Sequence, residues 1–145
     1  MKITLSALAL LFAAASAFAQ SDAELRSDGK NTDNVLNYGM GYGQNRFSPL
    51  KQVNKQTVKK LVPIWNVSLS SNYGEQGQPL VYNGVMYVAN ADNTVAVDIE
   101  TGKQLWRTPV EWDPATPRVV CCGISNKGPA IYNGKVFRGT LDSFV

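Results

Sequence analysis

The segment PLVYNGVMYVANADNTVAVDIETGKQLW, residues 79–106, alternates short apolar runs with turn residues. Its Asn83-Gly84 pair stands between two apolar runs. Such a pair predicts a two-residue type I′ hairpin, because that turn needs positive φ at both central positions. Further turns are expected at residues 90–93 and around Thr101-Gly102. The segment therefore predicts four short antiparallel strands, at residues 80–82, 85–89, 94–98 and 104–108.

The hairpin sequence recurs at a fixed offset of 50 residues, since PLVYNGVMYV from residue 79 matches PAIYNGKVFR from residue 129. The identical positions are Pro79/Pro129, Tyr82/Tyr132, Asn83/Asn133 and Gly84/Gly134. Four short strands per unit at a period of 40–50 residues are typical of β-propeller blades. The alternative is a sandwich whose two similar hairpins arose by duplication. Trp106 favours the propeller, because the turn at Gly102 places it on an outer strand where neighbouring units can bury its indole.

The chain before residue 79 has two weaker patterns. Residues 64–69 alternate Ile64, Asn66 and Ser68 with Trp65, Val67 and Leu69, which predicts a half-buried strand. Asn54 can cap a short helix running to Leu61, with Val58 and Leu61 on its inner face.

The N-terminus resembles an export signal. Lys2 precedes an apolar run over residues 3–18, and small residues stand at Ala17 and Ala19. This pattern predicts a signal peptide, residues 1–19, that is cleaved after Ala19. The apolar run is short for a membrane span, and no stop-transfer pattern follows, so no membrane anchor is expected after cleavage. Residues 20–145 would then form the mature domain.

Composition excludes several classes of function. The formal net charge is only +3 and the basic residues are dispersed, so no nucleic-acid partner is expected. The sequence contains no histidine, which excludes a Ser-His-Asp triad, a Cys-His pair and a histidine-ligated zinc site within these residues.

The two cysteines, Cys121 and Cys122, are adjacent. In an oxidising compartment they could form a disulfide with each other, pair with another chain, or remain free thiols. A disulfide between neighbours strains the intervening peptide, since ordinary disulfides prefer Cα atoms about 4.4–6.8 Å apart. Such strain tends to occur at ligand clamps and active sites. The pair is therefore a candidate functional site.

The pattern Ala96-x-Asp98-x-x-Thr101-Gly102-x-x-x-Trp106 resembles the tryptophan-docking motif of quinoprotein propellers. Four further segments resemble the methanol/ethanol family of pyrroloquinoline quinone (PQQ)-dependent alcohol dehydrogenases. They are YGQNRFSPLKQVN (residues 42–54), GQPLVYNGVMYV (77–88), CCGISNKG (121–128) and GKVFRGTLD (134–142). The resemblance extends over nearly the whole chain after residue 19.

This resemblance implies an all-β fold, namely an eight-bladed propeller of four-stranded blades that holds PQQ and a metal, usually calcium, near its axis. It also implies a periplasmic enzyme that oxidises a small alcohol and passes the electrons to a cytochrome c. The protein would contribute orientation and electronic tuning of the cofactor.

The resemblance also implies site residues. Cys121 and Cys122 match a vicinal disulfide whose flat ring stacks on the quinone. Gln76 stands where the family usually has a cofactor-contacting glutamate, and Glu75 precedes it, so either residue could take that role. Lys127 stands where an arginine is common, and it would contact a cofactor carboxylate as a point charge. Gly123 stands where an aspartate is common.

Family members are several times longer, and the second repeat ends at Val145 in the middle of a blade. We therefore expect an N-terminal fragment that is inactive by itself. The metal ligands and the catalytic base of the family lie downstream, so no catalytic or metal-binding residue is assigned within this chain. Two alternatives are a non-enzymatic propeller scaffold of the outer-membrane assembly type and a sugar-oxidising quinoprotein.

Overall fold

The first repeat forms a four-stranded antiparallel sheet with strand order β1-β2-β3-β4, and the second contributes a two-stranded hairpin, β5-β6. A computed structural model describes residues 20–145, and the predicted signal peptide lies outside the described residues. The elements are α1 (Asp22–Ser27), β1 (Leu80–Tyr82), β2 (Val85–Ala89), β3 (Asn93–Asp98), β4 (Gln104–Pro109), α2 (Thr116–Val119), β5 (Ala130–Tyr132) and β6 (Lys135–Phe137), with 3-10 turns at Asp28–Lys30 and Val58–Lys60.

Both predicted Asn-Gly hairpins are confirmed. In the first, Tyr82 pairs with Val85, and the turn residues have φ of +48° at Asn83 and +78° at Gly84. In the second, the corresponding values are +47° and +72°. Positive φ at both central positions is the requirement of a type I′ turn, whose twist matches that of the flanking strands.

The two repeats share one small core. Leu80 and Tyr82 of β1 are buried together with Ile131 of β5 and Leu36 of the preceding chain. β3 is the most deeply buried strand of the first sheet, with residues 93–97 all buried. Apolar packing therefore joins the second hairpin to the first sheet, as stacked propeller units require.

An N-terminal strap, residues 20–37, crosses the turns of both hairpins. The Asn34 Oδ1 atom accepts a hydrogen bond of 3.0 Å from the backbone N–H of Asn83 in the first turn. In the second turn, the Gln20 carbonyl accepts from the Asn133 N–H at 3.0 Å, and Gln20 Oε1 accepts from the Gly134 N–H at 2.8 Å. One continuous segment thus ties the two repeats together.

Local hydrogen bonds shape this strap. α1 begins with a capping box, in which the Ser21 hydroxyl accepts from the Glu24 N–H and the Glu24 carboxylate accepts from the Ser21 N–H. The bond from the Ser21 N–H is the main reason that the pKa of Glu24 lies below its ordinary value. After the helix, the buried Asp28 carboxylate accepts from the N–H groups of Leu36 and Asn37, both at 2.8 Å. These bonds turn the chain back toward β1.

Trp65 packs on the turn between β3 and β4. The Trp65 indole N–H donates to the Ile99 carbonyl at 2.9 Å, and its ring lies so close to Gly102 that a Cβ there would be 2.6 Å from Cδ2. Trp106 lies on the outer strand β4, as predicted, and contacts Tyr87, but 39% of its surface remains exposed. Burial of the Trp106 indole between neighbouring units stays a prediction, and the packing of Trp65 on this turn was not predicted from the sequence.

Two predictions for the chain before residue 79 were wrong. Residues 64–69 form no strand, because this segment has no neighbouring strand to pair with among residues 20–145. The predicted alternation is present, with Ile64 79% exposed and Trp65 partly buried. The helix predicted after Asn54 is reduced to a 3-10 turn at Val58–Lys60, and Val58 and Leu61 are exposed because no element covers them.

Candidate functional site

The loops that precede β1 and β5 occupy equivalent positions in the two repeats, and they lie against each other. A Cβ atom on Gly77 would lie 2.9 Å from the backbone nitrogen of Gly128. Gly128 has φ of +116°, and a Cβ there would lie 2.7 Å from the Gln78 carbonyl oxygen. Both glycines are therefore required by the close approach of the two backbones.

This approach brings together two of the predicted site residues. The Lys127 ammonium donates a hydrogen bond to the Gln76 side-chain oxygen, and both side chains are exposed. Glu75 has a different partner, since its Oε1 atom accepts from the Asn90 side-chain amide at 3.0 Å. The structure thus pairs Gln76 with Lys127 across the repeats and directs Glu75 toward the turn between β2 and β3.

Asn126 holds the loop that presents Lys127. Its Oδ1 atom accepts from the Gly128 N–H at 2.8 Å, and its Nδ2 group donates to the Gly139 carbonyl at 2.8 Å. Lys127 lines a cavity of about 330 Å³ between residues 125–128 and 139–141, and a second of about 400 Å³ bordered by Tyr38, Gln78 and Pro129. These volumes lie within the range of small-molecule sites.

The adjacent cysteines are exposed and are thiols in this structure. Their Sγ atoms are 3.2 Å apart, well beyond the bond length of about 2.0 Å, so the predicted vicinal disulfide is not formed here. Cys122 has φ of +67° and is followed by Gly123 at +85°. A cysteine in the left-handed region is uncommon, and its backbone is strained. The disulfide itself stays a prediction.

Two residues that the sequence analysis did not single out stabilise this region. Asn90 is buried at the end of β2, and its carbonyl accepts from Arg138 Nη2 at 2.7 Å. Burial lowers the pKa of Arg138, and the negative charge of Asp92 offsets part of this effect. The Arg138 Nε atom is buried without a hydrogen-bond partner among residues 20–145. For Asn90, the available sequence signal was the mostly polar segment Asn90-Ala91-Asp92-Asn93, which is typical of a turn rather than of a binding site.

The described residues contain no group of three or more His, Cys, Asp or Glu side chains that could hold a metal ion. In the same range, neither helix is long and apolar enough to cross a membrane.

Comparison with known proteins identifies the family. Residues 36–143 match the family model described as "PQQ: Glucose/ethanol/alcohol dehydrogenase, beta-propeller domain". The chain is 43% identical over 129 residues to a quinoprotein ethanol dehydrogenase of Pseudomonas aeruginosa, a match that covers 84% of this chain and 20% of the relative. It is 42% identical over 147 residues to the dehydrogenase subunit of a quinone alcohol dehydrogenase of Gluconobacter oxydans, covering 94% of this chain and 19% of the relative.

Solved structures agree with this assignment. The fold matches a quinohemoprotein alcohol dehydrogenase of Comamonas testosteroni with a TM-score of 0.77 and 31% identity, over 83% of this chain and 18% of that one. It matches a europium-containing methanol dehydrogenase with a TM-score of 0.75 and 27% identity, over 82% and 21%. The chain thus spans about one fifth of the length of these proteins. It belongs to the PQQ-dependent alcohol dehydrogenase family of β-propeller proteins.

Proposed function

We propose that residues 20–145 form the N-terminal part of a PQQ-dependent alcohol dehydrogenase and supply one wall of its cofactor site. The observation that carries this proposal is the pairing of Gln76 with Lys127 across two successive propeller units. A ligand site formed where several blades meet needs side chains from neighbouring units that converge beside a cavity of ligand size. The names of the relatives support alcohol, rather than sugar, as the substrate.

The residues present fit a planar, anionic quinone. Among residues 20–145 Lys127 forms no ion pair, so its ammonium charge is available to a cofactor carboxylate. Gln76 offers an amide beside it and would contact the same edge of the cofactor. PQQ, when bound, supplies the two-electron acceptor for alcohol oxidation. Lys127 and Gln76 would bind and orient it.

Cys121 and Cys122 would form a flat surface that packs against the quinone ring after oxidation to a vicinal disulfide. In that step both thiols lose their protons, one S–S bond forms, and two electrons pass to a disulfide oxidant of the exported compartment, which is reduced to two thiols. The positive φ of Cys122 supports this proposal, because the backbone at the cysteine pair already has an unusual, strained conformation. The predicted signal peptide supports a periplasmic location for this chemistry.

The rest of the activity would require parts of a longer polypeptide. A metal, calcium or another cation, and a catalytic base would come from outside residues 20–145. Electrons would pass to a periplasmic cytochrome c. Without these parts, we expect the 145-residue chain to bind PQQ weakly and not to oxidise alcohols.

Titration of the exported, oxidised chain with PQQ, followed by absorbance, tests the proposed site. Lys127→Ala removes the only charge assigned to the cofactor and should weaken binding about tenfold, the usual effect of losing one charge-assisted hydrogen bond. Lys59→Ala is the matched control, because Lys59 is exposed on the 3-10 turn and its substitution removes the same charge away from the proposed site. Equal affinities of the two variants would refute the proposed role of Lys127.

A further inference from the structure

The side-chain amide of Asn90 joins the turn between β2 and β3 to the loop that carries Gln76. Asn90 is only 2% exposed. Its Oδ1 atom accepts from the N–H groups of Asp92 at 3.0 Å and Asn93 at 2.8 Å. Its Nδ2 group donates to the Leu69 carbonyl at 3.1 Å and to Glu75 Oε1 at 3.0 Å. The backbone partners fix the orientation of this amide, because N–H groups can only donate and a carbonyl can only accept.

Gly77, which follows Gln76 in the chain, lies against the end of β2. A Cβ atom on Gly77 would lie 2.9 Å from the carbonyl oxygen of Ala89, the last residue of β2. Gln76 therefore stands between Glu75, which is bound to Asn90, and Gly77, which is in contact with Ala89. The end of β2 thus determines where the Gln76 side chain can reach.

The second repeat supports this arrangement from outside. Arg138, just beyond β6, donates from Nη2 to the Asn90 carbonyl at 2.7 Å. The backbone of Asn90 also donates to the Asn93 carbonyl at 2.9 Å. All the hydrogen-bonding groups of Asn90 are therefore in use, as a buried polar residue with a positioning role requires.

We infer that Asn90 is a positioning residue for the PQQ site and that Glu75 acts through Asn90 rather than by touching the cofactor. This inference rests on the proposed function and deepens it. The Asn90–Glu75 hydrogen bond fixes the loop so that Gln76 meets Lys127. Of the two adjacent candidates, Gln76 is then the cofactor contact and Glu75 is its support.

Three variants separate positioning from direct contact. Asn90→Asp keeps an acceptor for the Asp92 and Asn93 N–H groups but places a carboxylate oxygen against the carboxylate of Glu75. Glu75→Gln removes that charge while keeping the Oε1 acceptor. In the double variant N90D/E75Q the introduced amide can donate to the introduced carboxylate, which restores the hydrogen bond with its direction reversed. Asn93→Asp is the matched control, because it places a carboxylate on the same turn against the Leu69 and Ser70 carbonyls but not against Glu75, so Glu75→Gln should not rescue it.

The first measurement is the PQQ affinity of the exported, oxidised full chain. We expect Asn90→Asp to weaken binding about tenfold, since a partly buried hydrogen bond to a charged group is replaced by repulsion. Glu75→Gln should bind nearly as the parent chain does. The double variant should recover the part of the loss that comes from the Asn90–Glu75 contact, whereas adding Glu75→Gln to Asn93→Asp should recover nothing. If Glu75→Gln binds as poorly as Asn90→Asp and the double variant recovers nothing, Glu75 touches the cofactor and the inference is wrong.

The second measurement is the set of backbone nuclear magnetic resonance order parameters of residues 74–77 without PQQ, and it separates the two hypotheses. If the parent chain does not bind PQQ, the proposed function fails, but the order parameters still test the positioning claim. Lower order parameters at these residues in Asn90→Asp, raised again in the double variant, support it. Unchanged order parameters in Asn90→Asp would overturn it.

Discussion

The contact between Trp65 and Gly102 permits a quantitative test of the propeller packing. Gly102 has φ of +70°, and a Cβ at this position would lie 2.6–2.8 Å from three carbon atoms of the Trp65 indole. Real Cβ atoms do not approach carbon so closely, so Gly102→Ala must displace the ring. Displacement also breaks the hydrogen bond from the indole N–H to the Ile99 carbonyl.

The expected loss of stability is a sum of three effects. Alanine at positive φ costs about 1 kcal/mol. Loss of the indole hydrogen bond costs about 1 kcal/mol. Exposure of the buried part of the Trp65 side chain costs about 1–2 kcal/mol. Gly102→Ala should therefore lower the free energy of unfolding by about 3–4 kcal/mol.

Gly84→Ala is the matched control. Gly84 has a similar φ of +78°, but a Cβ there would have no atom within 4 Å. This variant should lose only the backbone cost of about 1 kcal/mol. Urea unfolding followed by far-ultraviolet circular dichroism gives both values for the exported chain. Equal losses in the two variants would show that Trp65 does not pack on this turn.

Three further predictions concern the strap, the pH dependence and the cysteines. Gln20→Ala removes the side-chain acceptor of the Gly134 N–H in the second hairpin's turn and should lower the free energy of unfolding by about 1 kcal/mol, measured by urea unfolding. Hydrogen bonds from the Thr101 hydroxyl and N–H lower the pKa of Asp98 in the folded chain. The stabilisation by the Asp98 carboxylate is therefore complete above the unfolded-state pKa of about 3.9, and it is lost as the pH falls through the lower pKa of the folded state. Asp98→Asn should accordingly show a smaller loss of stability on acidification below about pH 4, and an unchanged acid profile would contradict this. The exported chain should titrate with no free thiols before reduction and two after it; two reactive thiols before reduction would count against the disulfide of Cys121 and Cys122.

The hairpins were predictable because their signals are local. An Asn-Gly pair between apolar runs specifies a turn with little help from the rest of the molecule, and both turns have the expected positive φ. The four strands of the first sheet begin and end within one residue of their predicted bounds. The offset of 50 residues then indicated a repeating unit, and the comparisons confirmed the propeller family.

The remaining features depend on contacts between distant residues. The alternation in residues 64–69 predicts a strand, but pairing needs a neighbour that the described residues do not supply. The sequence gives no sign that Trp65 packs on Gly102, because the two residues are far apart in the chain and only the fold brings them together. Glu75 and Gln76 could not be ranked from sequence, because their partners Asn90 and Lys127 lie 15 and 51 residues away.

Nuclear magnetic resonance mapping of PQQ on the oxidised, isotope-labelled chain tests the central claim most directly, because it locates the ligand residue by residue. The claim is that loops from two successive units, together with the cysteine pair, form one wall of the cofactor site. It predicts that chemical-shift changes on PQQ addition cluster at Gln76, at Cys121 and Cys122, and at Lys127. Changes confined to other parts of the chain, such as the surface around Trp106, or no changes at all, would contradict it.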